Sequence, residues 1–242
     1  MTLEERWFRM PSTKKIIKKK LKEPDEFITF TESAYLSITH HAKSIAVGVG
    51  IVLALLIIIF FFQKWEKKKT EDAYQIFNSV LETYQMVSSP YREGSPQEYK
   101  NLVERFNEVI SKFPKTQAGK LALLYQGNIH LRLGEFDDAI KAYESYLEKA
   151  GKEKLYRAFA MEGLGYSYEG KRDYEKAMNA FQKVIELGEG FQLADAYLGL
   201  GRCYEKMGKT KEALNHYRNF INVSPKSQMT NIVLRKISNL EK

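Results

Sequence analysis

Eighteen consecutive residues from Ile45 to Phe62, IAVGVGIVLALLIIIFFF, carry no polar side chain. At about 1.5 Å per residue a helix of this length reaches ~27 Å, close to the ~30 Å hydrocarbon thickness of a bilayer. An all-apolar rod has no face to turn toward water, so the pattern predicts a single transmembrane helix over 44–63 and not the core helix of a small domain. A cleaved signal peptide fits less well. Forty-four residues precede the run, and Gln63-Lys64-Trp65-Glu66-Lys67-Lys68-Lys69 follows it in place of small residues.

Upstream, Phe27, Phe30, Ala34 and Ile38 recur at helical spacing between Asp25 and His41, which predicts a juxtamembrane amphipathic helix. The adjacent His40 and His41 point to different helix faces with no third ligand at helical spacing, so they read as a polar belt at headgroup level and not as a metal site. Lys14 to Lys22, KKIIKKKLK, embeds Ile16, Ile17 and Leu21 in a basic run. It reads either as a solvated signal that holds the N-terminus in the cytosol or as a surface for anionic lipid or RNA. Residues 1–43 therefore form a basic tail.

Nine Lys and Arg precede the span, while four, Lys64, Lys67, Lys68 and Lys69, follow it closely. The whole tail favours a cytoplasmic N-terminus, whereas the residues nearest the span, Lys43 against those four, favour the reverse. A short tail resists export and a long domain is exported whatever its charge, so the N-in orientation is preferred. Within the span Ala46, Gly50 and Ala54 recur every fourth residue as a strip of small side chains. The strip suits either close docking on another membrane helix or an inert anchor.

Beyond the span the pattern changes from continuous to periodic. Tyr74, Phe77, Val80, Leu81 and Tyr84, then Leu102, Val103, Phe106, Val109 and Ile110, mark two amphipathic helices joined by the turn-rich SSPYREGSP. Phe113-Pro114-Lys115-Thr116 then breaks the chain. Three similar windows follow, aligned on Gly127, Gly165 and Gly201, which lie 38 and 36 residues apart. Each glycine is followed by a small residue, Ala139, Ala177 or Ala213, and four positions later by an aromatic, Tyr143, Phe181 or Tyr217. A glycine and an alanine on crossing helices allow close approach, and the aromatic on the same face fills the space beside them.

This spacing resembles the tetratricopeptide repeat, a helix-turn-helix unit of about 34 residues that buries its apolar face only by stacking. The expected fold is all-α: a tetratricopeptide-repeat solenoid preceded by a single transmembrane helix. Its expected divisions are a degenerate helical repeat or cap at 64–117, three repeats at 118–225 and a C-terminal capping helix at 226–242, where Met229, Ile232, Val233, Leu234 and Ile237 supply the apolar face. The resemblance implies that the first helix of each repeat lines a concave groove. Its positions here are Leu121, Leu124 and Asn128; Phe159, Glu162 and Tyr166; and Asp195, Leu198 and Arg202. The carboxylate-gripping pattern of the chaperone-cofactor subfamily keeps only Asn128, with Leu124 where a lysine would stand. Leu121, Leu124, Phe159 and Leu198 fit packing against a neighbouring helix equally well.

Composition narrows the chemistry. At 44% hydrophobic and 13% aromatic residues the 242-residue chain is neither collagen-like nor wholly disordered. One cysteine, Cys203, excludes an intramolecular disulfide and a thiolate metal cage, and its place beside Gly201 and Tyr204 suits a small buried thiol better than a nucleophile. The run from Gly165 to Gly170-Lys171 has the glycine and lysine spacing of a phosphate-binding loop, but Arg172 stands where a magnesium-binding Ser or Thr is needed. Gly208-Lys209-Thr210 has that ending, with Cys203 in place of the first glycine. His130 and His216 read as packing or surface residues. Of the net charge of +8, the +5 carried by residues 63–242 is spread and lacks a recognisable nucleic-acid module, so nucleic acid is not expected as the main partner. No catalytic residue, cofactor or metal is called for.

The order of basic tail, one span near residue 50 and a repeat domain entered through Phe-Pro-Lys-Thr is similar to the YfgM-like ancillary subunits of the bacterial Sec translocon. That resemblance implies a single-pass protein of the bacterial inner membrane with a cytoplasmic N-terminus and a periplasmic repeat domain. Its expected partners are proteins: the translocon, periplasmic chaperones or exported polypeptides. A membrane-tethered scaffold for envelope assembly or cell division fits the same layout.

Overall fold

The computed structural model describes residues 26–242 apart from Glu93, Lys152 and residues 189–191, with side chains from Thr31 onward. The basic run Lys14–Lys22 and the side chains of Phe27 and Phe30 lie outside the described part. Ten helices and no strand form among the described residues. The chain divides into two compact units, Met1–Lys64 and Trp65–Lys242.

The first unit holds α1 (Glu26–His40) and the beginning of α2 (Ala42–Val87), with a turn at His41 between them. The large apolar side chains from Ile45 to Phe62 are all exposed, and none of the most apolar eighteen-residue window is buried. Among the described residues α2 alone is long and apolar enough to cross a membrane. A Cβ added at Gly48 or Gly50 would meet nothing within 4 Å. One helix runs on past Gln63 through Lys64–Thr70 to Val87. No Gly or Pro lies between Gly50 and Val87, and Lys, Glu and Gln dominate the junction, so nothing in the sequence stops the helix there.

In the second unit, Phe77 and Val80 of α2 pack with Leu102, Phe106 and Val109 of α3 (Pro96–Lys112) and with Ala118, Leu121 and Ala122 of α4 (Gln117–Leu133). The Phe106 ring stacks on Tyr125 of α4 at 5.7 Å between centroids. Both helix starts are capped. The Glu98 N–H donates to Ser95 Oγ at 3.3 Å while the Ser95 N–H donates to Glu98 Oε2 at 2.9 Å, and Thr116 Oγ1 accepts from the Gly119 N–H at 3.1 Å.

Three helix pairs follow. They are α4 with α5 (Phe136–Lys149), α6 (Lys154–Gly170) with α7 (Tyr174–Leu187), and α8 (Gln192–Lys206) with α9 (Thr210–Val223). The first helices α4, α6 and α8 touch in succession. Ala139, Ala177 and Ala213 are completely buried at the crossings. The aromatics are wedges. A Cβ on Gly127 would lie 2.6 Å from the Tyr143 ring, and one on Gly163 of the next repeat would lie 2.2 Å from the same ring. Gly165 and Gly199 hold Phe181 in the same way, at 2.5 and 2.6 Å. Gly201 abuts Tyr217, but beyond it α10 (Thr230–Leu240) offers Lys236, whose Nζ lies 5.8 Å from the Tyr217 ring centroid.

The terminal helix covers less than its sequence promised. Val233 is buried with Ile237 beside it, whereas Met229, Ile232 and Leu234 stay exposed because the eleven-residue helix turns one narrow face to α9. The phosphate-loop spacing at Gly165–Lys171 falls in the helical body and end of α6, with no strand ahead of it, so no cradle of backbone N–H groups forms.

Each pair turns through one left-handed residue: Gly134 (φ 74°), Arg172 (φ 65°) and Gly208 (φ 72°). A side chain costs about 1 kcal/mol or more in that conformation, and only the middle repeat bears the cost. Arg172→Gly is expected to stabilise the full-length protein by roughly 1 kcal/mol, read as a higher Tm in detergent. Gly163→Val should destabilise it by about 3 kcal/mol, because a Cβ there would already meet the buried Tyr143 ring at 2.2 Å and a branched side chain would displace it. An unchanged denaturation midpoint for Gly163→Val would show that the wedge does not set the spacing of the repeats.

Candidate ligand groove

The middle repeat builds the most chemically distinct surface of the second unit. Phe159, Glu162, Gly163 and Tyr166 lie along one stripe of α6, three and four residues apart. Asn128, Leu131 and Arg132 of α4 and Tyr84 of α2 line the same space. Together with Tyr143 they line an open cavity of about 370 Å³. The Tyr143 hydroxyl donates to Asn128 Oδ1 at 2.7 Å, so the wedge that spaces the repeats also fixes one wall of the cavity.

Glu162 is 9% exposed. Burial, then the nearby charge of Asp195 on α8, push its carboxyl up to about 7 against a hydrogen bond donated by Tyr166. Burial also raises Asp195, with Arg202 opposing. Burial and the neighbouring acids raise Tyr166 as well. Arg202 itself is engaged elsewhere: its Nε and Nη2 donate to the two oxygens of Glu169 at 2.7 and 2.6 Å, and its guanidinium lies 5.5 Å from the Tyr166 ring centroid. Burial pushes the Cys203 thiol up to about 12, which keeps it an unreactive packing group.

Of the nine groove positions drawn from the repeat pattern, Asn128, Phe159, Glu162 and Tyr166 line the cavity. Asp195 faces Glu162 electrostatically and Arg202 lies against Tyr166. Leu121, Leu124 and Leu198 are packing residues at 8%, 5% and 6% exposure. Leu121 joins the Phe77–Phe106 cluster, Leu124 packs with Tyr143, and Leu198 packs with Tyr217. Arg132, Leu131 and Tyr84 extend the site beyond those nine. Arg132 lies four residues after Asn128 on the same helical face, a signal present in the sequence; Tyr84 belongs to a helix outside the repeat period and carried none.

A second polar group lies apart from the groove. His130 Nδ1 is 2.7 Å from Glu135 Oε2, and the ligand atoms of His130, Glu135 and Asp138 fall within 4.8 Å of one another, so His130 is not isolated. Asp138 is exposed and also meets Lys141 at 3.1 Å.

The chain matches the tetratricopeptide repeat-like domain over residues 38–242. It belongs to that family. The match begins ahead of Ile45, so the family pattern takes in the apolar run as well as the repeats. A TPR repeat-containing protein of Methanocaldococcus jannaschii is 29% identical over 170 residues, covering 64% of this chain and 28% of that protein. The outer dynein arm-docking complex subunit 4 of Xenopus laevis is 27% identical over 160 residues, covering 62% of this chain and 30% of that protein. The chain thus spans under a third of either relative. Among solved structures, a tetratricopeptide repeat protein from Parabacteroides merdae is similar with a TM-score of 0.53 at 20% identity, covering 69% of this chain and 60% of that one. MamA is similar at 0.51 and 20% identity, covering 72% and 84%. These two show the shared fold. The family is a protein-interaction scaffold.

Glu162 gives this site a pH signature. Its folded pKa of about 7 lies above its ordinary value of 4.5, so the folded state binds the proton more tightly than the unfolded chain. Stability is therefore greatest below the ordinary value and declines as pH rises through 4.5 toward 7. Glu162→Gln should remove that decline. Urea denaturation is expected to find the variant more stable than the parent at pH 8, by on the order of 2–3 kcal/mol, with the difference vanishing near pH 4.5.

Proposed function

We propose that this protein is a membrane-anchored protein-binding module of the bacterial inner membrane, an accessory to the Sec translocon or to the periplasmic chaperones that handle exported polypeptides. The observation that carries the reading is the open cavity on the face formed by the first helices, which joins an aromatic wall to polar groups that hold one another only in part. Exposed apolar side chains from Ile45 to Phe62 support anchoring, since water is a poor solvent for so long an unbroken apolar surface. In this reading α2 carries the chain across the membrane, the tail stays in the cytoplasm, and the repeats work in the periplasm. The module binds and presents; it transforms nothing.

A photo-crosslinking residue in place of Phe159, in the full-length protein in native membranes, tests this. Adducts with translocon subunits, chaperones or exported chains are the expected outcome. A fixed set of envelope-assembly or cell-division proteins would overturn the translocon reading in favour of the scaffold, and no adduct at all would remove the groove from binding. Tyr91→Cys, on a side chain that is 98% exposed, reports orientation against a buried Cys203. Labelling by a membrane-impermeant maleimide in intact spheroplasts is expected; labelling only after lysis would reverse the topology.

A further inference from the structure

We propose that the groove selects partner polypeptides by a lysine or arginine side chain, seated at Glu162 against the aromatic wall of Phe159 and Tyr166, with the charge of Asp195 nearby. The inference rests on the reading of this face as a polypeptide-binding groove and names what that groove prefers.

The argument is one of uncompensated charge. Among the described residues neither Glu162 nor Asp195 forms an ion pair, although both sit on the first helices of adjacent repeats; burial raises the proton affinity of each, and the charge of Asp195 raises that of Glu162 further. The two cations on this face are held by other groups. Arg202 is forked onto Glu169. Arg132 donates to the Tyr99 hydroxyl at 3.0 Å and lies 5.5 Å from the centre of its ring. The remaining titratable groups around the cavity, Tyr84, Tyr143 and Tyr166, are neutral, and burial favours their neutral form. Glu162 keeps only the hydrogen bond from Tyr166. A carboxylate this buried gains most from a cation that arrives with its own donors. The space to admit one is present, and aromatic faces favour an ammonium or guanidinium group. An acidic partner would meet repulsion at the same place.

Fluorescence anisotropy on the full-length protein in detergent tests the assignment. The probes are two dye-labelled, end-capped heptapeptides of leucine and alanine that differ only in a central lysine or norleucine. At pH 8 the lysine peptide is expected to bind at least tenfold more tightly, and the preference should shrink severalfold at pH 5.5 as Glu162 takes up its proton. Glu162→Gln and, independently, Asp195→Asn should each reduce the preference, with helical circular dichroism confirming that the stack is intact. Equal binding of both peptides, abolished for both by Phe159→Ser, would overturn the charge selectivity and leave the groove reading standing. Binding of neither peptide would overturn both. An undiminished preference in both variants would place the cation elsewhere.

Discussion

An aromatic ring held between two glycines on successive first helices is the contact on which the rest of this domain depends. Tyr143 lies between Gly127 and Gly163, and Phe181 between Gly165 and Gly199. Helix pairs of this kind have no core of their own, so the distance between pairs must be set by side chains that reach across. A large rigid ring defines that distance, and a missing Cβ on each side lets the backbone close on it. Even one methyl group at Gly163 would occupy space already filled by the Tyr143 ring. The last wedge, Tyr217, has one glycine and then Lys236, and Lys236 Nζ also reaches Glu205 Oε2 at 2.8 Å. The repeat pattern ends where a polar contact replaces the second glycine.

The groove follows from that spacing. Gly163 sits within the α6 stripe whose neighbours Glu162 and Tyr166 face the cavity, so the position that admits the wedge also determines which way the polar residues point. Asn128 accepts the Tyr143 hydroxyl and lies one residue after Gly127. Packing residues and groove residues are adjacent along each helix, and the packing residues supply the rigidity that a binding site needs.

Much of this was legible in the sequence because glycine, alanine and aromatic residues at fixed offsets have few alternative explanations. Gly127, Gly165 and Gly201, the three alanines and the three aromatics occupy the roles their spacing implies. The groove residues were legible only where side-chain chemistry and helix phase agree. Asn128, Glu162 and Tyr166 are polar or amphipathic residues on the inner stripe and line the cavity, whereas Leu121, Leu124 and Leu198 share that stripe and sink into the packing between helices. Phase places a residue on a face, but a branched apolar side chain at the edge of that face gains more from burial than from contact with solvent. The continuity of α2 through Lys64–Thr70 shows a limit of composition as a guide. A change from apolar to charged composition looks like a boundary, yet a helix ends only where the backbone is given a reason to stop.

The middle repeat departs from local rules twice, and the two departures differ in kind. Arg172 takes a left-handed turn position that glycine fills in the flanking repeats, but a turn is all that stands there, and a substitution can relieve the strain without touching any cavity. Glu162 is a buried carboxyl beside a second acid, with about 370 Å³ of open space before it. The same stripe of α6 would hold an apolar residue at lower cost to folding, and the hydrogen bond from Tyr166 restores only part of what Glu162 loses by leaving water. A cost borne at a cavity and only partly offset inside the fold is where a ligand has most to contribute.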